Sequence, residues 1–275
     1  LAKAGNPPKT EFVKATGKVI NPIPANDFSF FNQLNEIVQY EPIESLDPRT
    51  RGLFASIGNV KGKPFNPGER MKKILTDAVA IGNGTARAIT IYPRTPGNYI
   101  YGRDSGWIMA YADKNTSFMY DGAYNTEAAT WFYYNAIGVT PAMAVARAGA
   151  GSDYGIIATD TKKQALDGAK TYKIHLPKDV PVKAFWAVTI YDTQTRSQLQ
   201  TDQPYPTVGS QTKGILKNAD GSYDIYFAPK PPNGKENNWL QNIPGKSWIA
   251  VLRMYGPEEP WIKQTWRPGE IELVK

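Results

Sequence analysis

The pattern of apolar residues changes near residue 95, and this change constrains the possible fold more than any other feature of the sequence. Beyond that point, short segments rich in aromatic and β-branched residues alternate with turn residues, as is typical of β-strands. Many short strands with one helical pattern among them predict an antiparallel β-sandwich of the jelly-roll type. The nine candidate strands are NYIYG, GWIMAYA, TSFMYDG, YGIIATD, KTYKIHLP, KAFWAVTIYD, SYDIYFAP, KSWIAVLRMYG and GEIELV.

Before the strand region, apolar residues recur at the spacing of amphipathic helices. The run NDFSFFNQLNEIVQYEP predicts a first helix with Asn26 or Asp27 as its N-cap. A second helix is predicted after Asp47, which can cap it, and Gly58 can end it. These stripes of apolar residues indicate core packing.

A third helix is predicted from Gly68 onward, and Gly82 and Gly84 are expected to kink it or end it. The helical pattern among the strands has Thr126 as its expected cap and Gly138 as its expected stop. The expected fold class is therefore α+β, a small helical segment followed by an antiparallel, jelly-roll-like β-sandwich.

The composition excludes several functional classes. Cysteine is absent, so disulfides, zinc thiolates and cysteine nucleophiles are excluded. The net charge of +7 comes from basic residues that are scattered along the chain, so we expect no nucleic-acid partner. No apolar run approaches about 18 residues, so we expect no membrane span. A single histidine, His175, cannot build a multi-histidine metal site, and we expect neither a metal nor a cofactor.

Polar residues at the end of a predicted strand give the first candidate site. Tyr191 and Asp192 close the strand KAFWAVTIYD, and Arg196 follows in the next turn. Asp192 and Arg196 have the spacing of an ion pair that fixes the turn. Alternatively, Asp192 accepts a hydrogen bond from a ligand hydroxyl while Arg196 binds a carboxylate or phosphate. The sequence leaves both alternatives open.

The loop APKPPNGKENNWLQNIP gives the second candidate site. Glu236, Asn237, Asn238 and Trp239 combine amide hydrogen bonds with a large apolar plate. That mixture suits the binding of a sugar as well as the architecture of a loop.

Glycan hydrolysis is an alternative that needs paired carboxylates. One carboxyl group acts as the acid and a second as base or nucleophile, about 5 to 10 Å away. Asp192, Asp224 and Glu236 are the candidates. Asp220 and Asp224 can instead bracket a calcium ion, although a hairpin turn explains Asp220 without any metal.

Five long stretches of the chain are specific enough to indicate a family. They are DPRTRGLFASIGNVKGKPFNPGERMKKIL, AIGVTPAM, YDTQTRSQLQTDQPYP, NADGSYDIYFAPKPPNGKENNWLQNIPGKSW and RMYGPEEPWIKQTWRPGEIELV. These stretches resemble a bacterial family, domain-of-unknown-function family 1214, over nearly the whole chain. The beginning, LAKAGNPPKTEFVKATGKVI, resembles the tail of its usual companion, domain-of-unknown-function family 1254.

The resemblance implies a helical segment followed by a jelly roll, in proteins usually exported by bacteria and preceded by a separate small β-sandwich. It implies no reaction. Together with the change of pattern near residue 95, it gives three expected regions: residues 1–25 as the tail of an upstream β-domain and its linker, residues 26–95 as the helical segment and residues 96–275 as the sandwich. The positions that match the strongest motifs of the family are Tyr191, Asp192, Arg196, Asp220, Asp224, Glu236, Asn237, Asn238, Trp239, Arg253, Tyr255 and Trp261.

We therefore expect an uncharacterised exported bacterial protein, periplasmic or secreted, that binds carbohydrate or another polar ligand at or outside the cell envelope. The alternatives are a hydrolase acting on glycans and a structural or assembly component of a larger complex. The expected partners are a glycan and the upstream β-domain of the same protein, attached or as a separate chain. The residues expected to bind the ligand are Tyr191, Asp192, Arg196, Asp224, Glu236, Asn237, Asn238 and Trp239.

Overall fold

A computed structural model of the chain describes residues 23–136 and 141–274, together with Gly17. Most of the expected upstream tail, and the expected helix stop Gly138, lie outside the described residues. The chain divides into two compact units, Leu1–Thr76 and Asp77–Lys275. The helices are α1 (Ser29–Tyr40), α2 (Pro48–Ser56), α3 (Glu69–Ile91), α4 (Thr126–Asn135), α5 (Pro141–Ala144) and α6 (Glu259–Ile262).

The helix α2 forms as its sequence predicts at both ends. Asp47 caps it by accepting a hydrogen bond from the Thr50 N–H at 3.0 Å. Gly58 follows the helix with a φ of 88°, and its N–H donates to the Ala55 carbonyl while the next N–H, of Asn59, donates to the Phe54 carbonyl. This pair of bonds is the Schellman motif, which glycine favours because it has no Cβ to clash in the left-handed conformation.

The two ends of α1 are satisfied differently from expectation. Phe28 occupies the N-cap position, and Asp27, the expected cap, accepts from the Ser29 N–H at 2.8 Å. At the other end the Lys61 ammonium donates to the carbonyls of Gln39 and Glu41, at 2.7 Å each. A cation therefore fills the place of the missing intrahelical donors and complements the negative end of the helix dipole.

The helix α3 continues through both glycines that were expected to kink or end it. Gly82 and Gly84 lie inside its 23 residues. Leu75, Val79 and Ile89 are buried along its length. The apolar face of the helix outweighs the low helix propensity of two glycines, which is about 1 kcal/mol each.

Two β-sheets form the larger unit, and they confirm the α+β class with a sandwich-like β region. The strands are β1 (Trp107–Ile108), β2 (Met119–Tyr120), β3 (Ala123–Tyr124), β4 (Ser152–Ile157), β5 (Tyr172–Leu176), β6 (Val182–Asp192), β7 (Thr207–Gly209), β8 (Tyr223–Ala228), β9 (Trp239–Gln241), β10 (Trp248–Pro257) and β11 (Ile271–Leu273). A five-stranded sheet has the order β1-β4-β10-β6-β7 and a four-stranded sheet the order β11-β5-β8-β9, while β2 and β3 form a separate hairpin. Among the described residues, each pair of neighbouring named strands is antiparallel except β8 with β9.

The main core consists of the side chains that alternate strand positions bring together. In β6 every second residue, Trp186, Val188 and Ile190, belongs to this cluster, as do Ile225 and Phe227 of β8. A period of two along each strand places one set of side chains on each face of a sheet. The inner faces of the two sheets therefore supply the core.

The opposite, outer face of the five-stranded sheet belongs to a second apolar cluster. Ile249 and Val251 of β10 share it with Trp131 and Phe132 of α4. The N-cap of α4 is Asn125, whose side-chain oxygen accepts from the Ala128 N–H at 3.0 Å, and not the expected Thr126.

The strand prediction is wrong at one segment and incomplete at three others. The expected strand NYIYG is a short 3₁₀ turn, Pro96–Asn98, followed by a single bridge from Tyr99 to Ile108. The strands β3, β7 and β9 were not predicted. Each has only two or three residues, which is too short for an alternating pattern to show in the sequence.

Candidate functional site

The sequence-predicted residues of β6 point to opposite faces of its sheet. Tyr191 contacts the outer apolar cluster. Asp192 lies on the inner face, is 5% exposed, and forms an ion pair of 2.5 Å with the Lys246 ammonium. Burial alone would raise the pKa of Asp192, but hydrogen bonds from Lys246 and from the backbone N–H groups of Gln194 and Thr195 hold it below its usual value.

Arg196 does not pair with Asp192 through its side chain. Its guanidinium lies over the ring of Tyr134, 4.3 Å from the ring centroid, and donates to the Gln194 carbonyl at 3.2 Å. The sequence left open an ion pair between Asp192 and Arg196. In the structure Asp192 forms its ion pair with Lys246 instead. The proposed contact of Arg196 with an anionic ligand stays a prediction.

Asp224 lies on the outer face of the four-stranded sheet. Its Oδ1 is 2.8 Å from the Nδ1 of His175, and its Oδ2 accepts from Asn218 at 3.3 Å. Asp220 closes its own turn by accepting from the Ser222 N–H and hydroxyl. In the part of the chain that the structure describes, no three His, Asp or Glu side chains converge as a metal ion would require.

The four predicted residues of the second loop divide between surface and interior. Glu236 and Asn237 are exposed. Asn238 is 2% exposed, accepts from the Leu216 N–H, and donates to the carbonyls of Leu216 and Asp224, all within 2.9 Å. Trp239 donates its indole N–H to the Ala228 carbonyl at 2.9 Å. Asn238 and Trp239 therefore fix the loop in place.

The three carboxylates considered for hydrolysis have separate partners. Asp192 pairs with Lys246 and Asp224 with His175, while Glu236 accepts from the nearby Gly234 N–H. A pair of catalytic carboxyl groups acts on one bond and therefore needs a shared cleft. These hydrogen bonds link none of the three to another, and the hydrolase hypothesis stays a prediction.

Two segments that adjoin the candidate sites contact each other. One is 200–203, which follows Arg196, and the other is β9, which begins at Trp239. Gln241 accepts from the Asp202 N–H at 2.7 Å and donates to the Asp202 carboxylate at 2.9 Å. Gln203 in turn accepts from the Gln241 N–H at 2.7 Å and donates to the Trp239 carbonyl at 3.1 Å. We call these four bonds the amide clamp. They hold the segment 200–203 against β9.

Beside the amide clamp lies a cleft of about 440 Å³. Asn242 lines it, is 1% exposed, and donates to the Lys170 carbonyl, while its side-chain oxygen accepts no hydrogen bond from the described residues. The polar residues that line this amide cleft are Gln200, Thr201, Asp202, Gln241 and Asn242. Sequence reasoning missed them, although the amide-rich run QLQTDQ was a visible signal.

Comparison with known proteins finds one family model that matches part of the chain. Residues 151–259 match the family model described as "Protein of unknown function (DUF1214)". No curated protein matches the chain. The expected likeness of the beginning of the chain to the companion family 1254 stays a prediction.

Two solved structures are similar to this chain over part of their own length. One is the VPA0106 protein of Vibrio parahaemolyticus, at 19% identity and a TM-score of 0.42, covering 100% of this chain and 60% of that one. The other is an uncharacterised protein of Burkholderia cenocepacia, at 15% identity and a TM-score of 0.34, covering 77% of this chain and 44% of that one. This chain thus spans less than two thirds of either protein.

The DUF1214 region includes the amide cleft and also a second polar cluster, on the outer face of the five-stranded sheet. There Arg253 donates to the hydroxyl of Tyr191. The rings of Tyr154 and Tyr191 lie 5.5 and 5.8 Å from the guanidinium carbon. Burial alone would lower the pKa of Arg253, but the phenols of Tyr191 and Tyr255 raise it overall, so the side chain keeps its charge.

Proposed function

We propose that the protein binds a carbohydrate or a similar hydroxyl-rich ligand in the amide cleft and does not transform it. The observation that supports this proposal is the convergence of amide, hydroxyl and carboxylate side chains from two loops on one cleft. We further propose that the protein acts in the periplasm or outside the bacterial cell. No helix of the described residues is long and apolar enough to cross a membrane.

The chemistry of the cleft matches that of a sugar. Each sugar hydroxyl both donates and accepts a hydrogen bond, and the amides of Gln200 and Asn242 offer both kinds of group. The Asn242 oxygen is buried and accepts no hydrogen bond from the described residues. A ligand hydroxyl that reaches it from the cleft would pair a buried polar group that otherwise has no partner, which is favourable.

An exposed aromatic ring stands close in sequence to the cleft. Tyr205 is 75% exposed and follows Asp202 by three residues. Aromatic rings offer an apolar face to the C–H groups of a sugar and a polar edge to water. Tyr205 is therefore the aromatic contact that we propose for the ligand.

The amide clamp gives the cleft a fixed shape before a ligand arrives. Four hydrogen bonds join Asp202 and Gln203 to β9. A site that is already ordered loses less conformational entropy on binding, so more of the contact free energy appears as affinity.

A glycan array followed by titration and a hydrolysis assay tests the proposed function. We expect binding to at least one class of glycan, no release of product, and about a tenfold loss of affinity in Tyr205→Ala. Tyr40→Ala is the matched control, since Tyr40 is also an exposed tyrosine, in the other unit. Release of sugar products favours the hydrolase instead, and absence of binding to every glycan overturns the carbohydrate proposal. Fractionation of the native bacterium tests export.

A further inference from the structure

We propose that the outer face of the five-stranded sheet carries a second binding site, centred on Arg253, for the carboxylate group of a small organic acid. This site is distinct from the amide cleft, because Arg253 lies on the face that the outer apolar cluster covers and not among the residues of the cleft. It extends beyond the proposed binding of carbohydrate.

Arg253 is centrally placed in its sheet. It lies in β10, between Tyr154 of β4 and Ala187 of β6 in the pairing register. On the same face, Val251 belongs to the outer apolar cluster. The immediate neighbours of the Arg253 guanidinium on this face are therefore apolar or aromatic.

The outward positions of the three central strands carry no acidic side chain. Alternation along each strand places every second residue on this face. The only charged residues in the set are Lys183 and Arg253, both cationic. The outward residues of β4, β6 and β10 are Ser152, Tyr154, Ile156, Lys183, Phe185, Ala187, Thr189, Tyr191, Ile249, Val251, Arg253 and Tyr255.

The protein uses little of the hydrogen-bonding capacity of Arg253. A guanidinium has five N–H donors, and the hydrogen bonds of Arg253 with the described residues go to two phenol groups, those of Tyr191 and Tyr255. No Asp or Glu of those residues pairs with it, and its Nε is buried without a partner. A half-buried cation without a counter-charge is unfavourable, and an incoming anion removes that cost.

The Tyr191 hydroxyl adds a further hydrogen-bond donor for a ligand. An arginine can only donate, so the Tyr191 oxygen accepts from Arg253 and the phenol proton points elsewhere. The terminal N–H groups of Arg253 and this O–H then offer several donors to an anion. A planar carboxylate, with two oxygens that each accept, matches such a set better than a single-atom anion does.

The aromatic rings beside Arg253 indicate which kind of acid the site would bind. Tyr154 and Tyr191 both lie within 6 Å of the guanidinium and stabilise it by cation–π contact. Tyr255 stacks on Phe185 with ring centroids 4.0 Å apart. Apolar rings around a charged centre suit an acid with an apolar or aromatic body, so benzoate is an appropriate probe.

The test is a titration of the intact chain with benzoate and, separately, with benzamide, its neutral counterpart of the same shape. We expect benzoate to bind with a Kd of about 1 to 10 mM and benzamide at least about tenfold more weakly. Arg253→Lys keeps the charge but loses the planar fork, and we expect about a tenfold loss of benzoate affinity. Tyr191→Phe removes one hydroxyl donor, with about a fivefold loss.

Two controls separate binding from folding and from the amide cleft. The melting temperature of each variant is measured first, and benzoate binding to Arg253→Lys is compared only if the variant is folded. If Arg253→Lys does not fold, Tyr191→Phe alone decides. Gln200→Ala should bind benzoate as the wild type does, because Gln200 lies in the other site. Equal affinity for benzoate and benzamide, or wild-type benzoate affinity in folded Tyr191→Phe and Arg253→Lys, overturns the proposal, as does absence of benzoate binding.

Discussion

Asp202 and Gln241 hold two distant segments together through a reciprocal pair of hydrogen bonds. The Gln241 side chain accepts from the Asp202 N–H at 2.7 Å and donates to the Asp202 carboxylate at 2.9 Å. The pairing spans 39 positions of sequence and forms one wall of the amide cleft. The geometry of the cleft therefore depends on the Gln241 side chain.

Removal of that side chain should weaken ligand binding more than folding. For Gln241→Ala we expect about a tenfold loss of glycan affinity and a loss of stability of about 1 kcal/mol, since both hydrogen bonds are at the surface. Calorimetric titration and urea denaturation measure the two effects. Gln211→Ala, at an exposed glutamine outside the cleft, is the control and should change neither. Unchanged affinity in Gln241→Ala would show that the clamp has no part in binding.

We expect substitution of Asn238 to destabilise the folded protein and substitution of its neighbour Asn237 to leave stability nearly unchanged. The buried Asn238 amide makes three hydrogen bonds to backbone groups, and alanine leaves those groups unsatisfied. We expect Asn238→Ala to lose about 2 to 4 kcal/mol of unfolding free energy. Asn237→Ala, at an exposed position, should stay within about 0.5 kcal/mol of the wild type. Urea denaturation compares them, and equal stability of the two variants contradicts this assignment.

The ion pair of Asp192 with Lys246 should make stability depend on acid pH. The pKa of Asp192 in the folded protein lies below its ordinary value of 3.8, so the folded state binds fewer protons than the unfolded state near that pH. Its contribution is therefore present above the unfolded pKa and is lost as the pH falls through the folded pKa. Denaturation of wild type and Asp192→Asn between pH 7 and pH 3 should show a steeper fall for the wild type. Parallel curves contradict this.

The cap of α2 should contribute measurably to the smaller unit. Asp47→Ala removes the acceptor for the Thr50 N–H, and the expected cost is about 1 kcal/mol. Asp47→Asn keeps a side-chain oxygen at the cap and should recover most of the loss. Chemical denaturation followed by far-ultraviolet circular dichroism measures both variants, and an equal loss in both means that charge and not capping is responsible.

Local signals in the sequence were sufficient for parts of the fold. Asp47 and Gly58 predicted both ends of α2 because caps and stops involve residues only a few positions apart. Alternation along β6 predicted a long strand with one buried face. By contrast, Gly82 and Gly84 lie inside α3 because an apolar face outweighed their local preference.

The candidate site was less accessible to sequence reasoning. The residues Asn237, Asn238 and Trp239 looked alike as binding groups, because the same amides serve ligands and buried loops. Which amide is buried depends on contacts with Leu216 and Asp224, which are distant in sequence. The pairing of Gln203 with Gln241 likewise has no local signal.

The side-chain amide signals of the cleft offer the most direct test of carbohydrate binding. In a two-dimensional NMR titration of the chain with a glycan selected on the array, the NH₂ resonances of Gln200, Gln241 and Asn242 should shift together and saturate at one Kd. The NH₂ resonances of Gln211 and Asn237, outside the cleft, should stay unchanged. If the glycan binds and these three resonances do not move, or if no glycan shifts them, the amide cleft is not the ligand site.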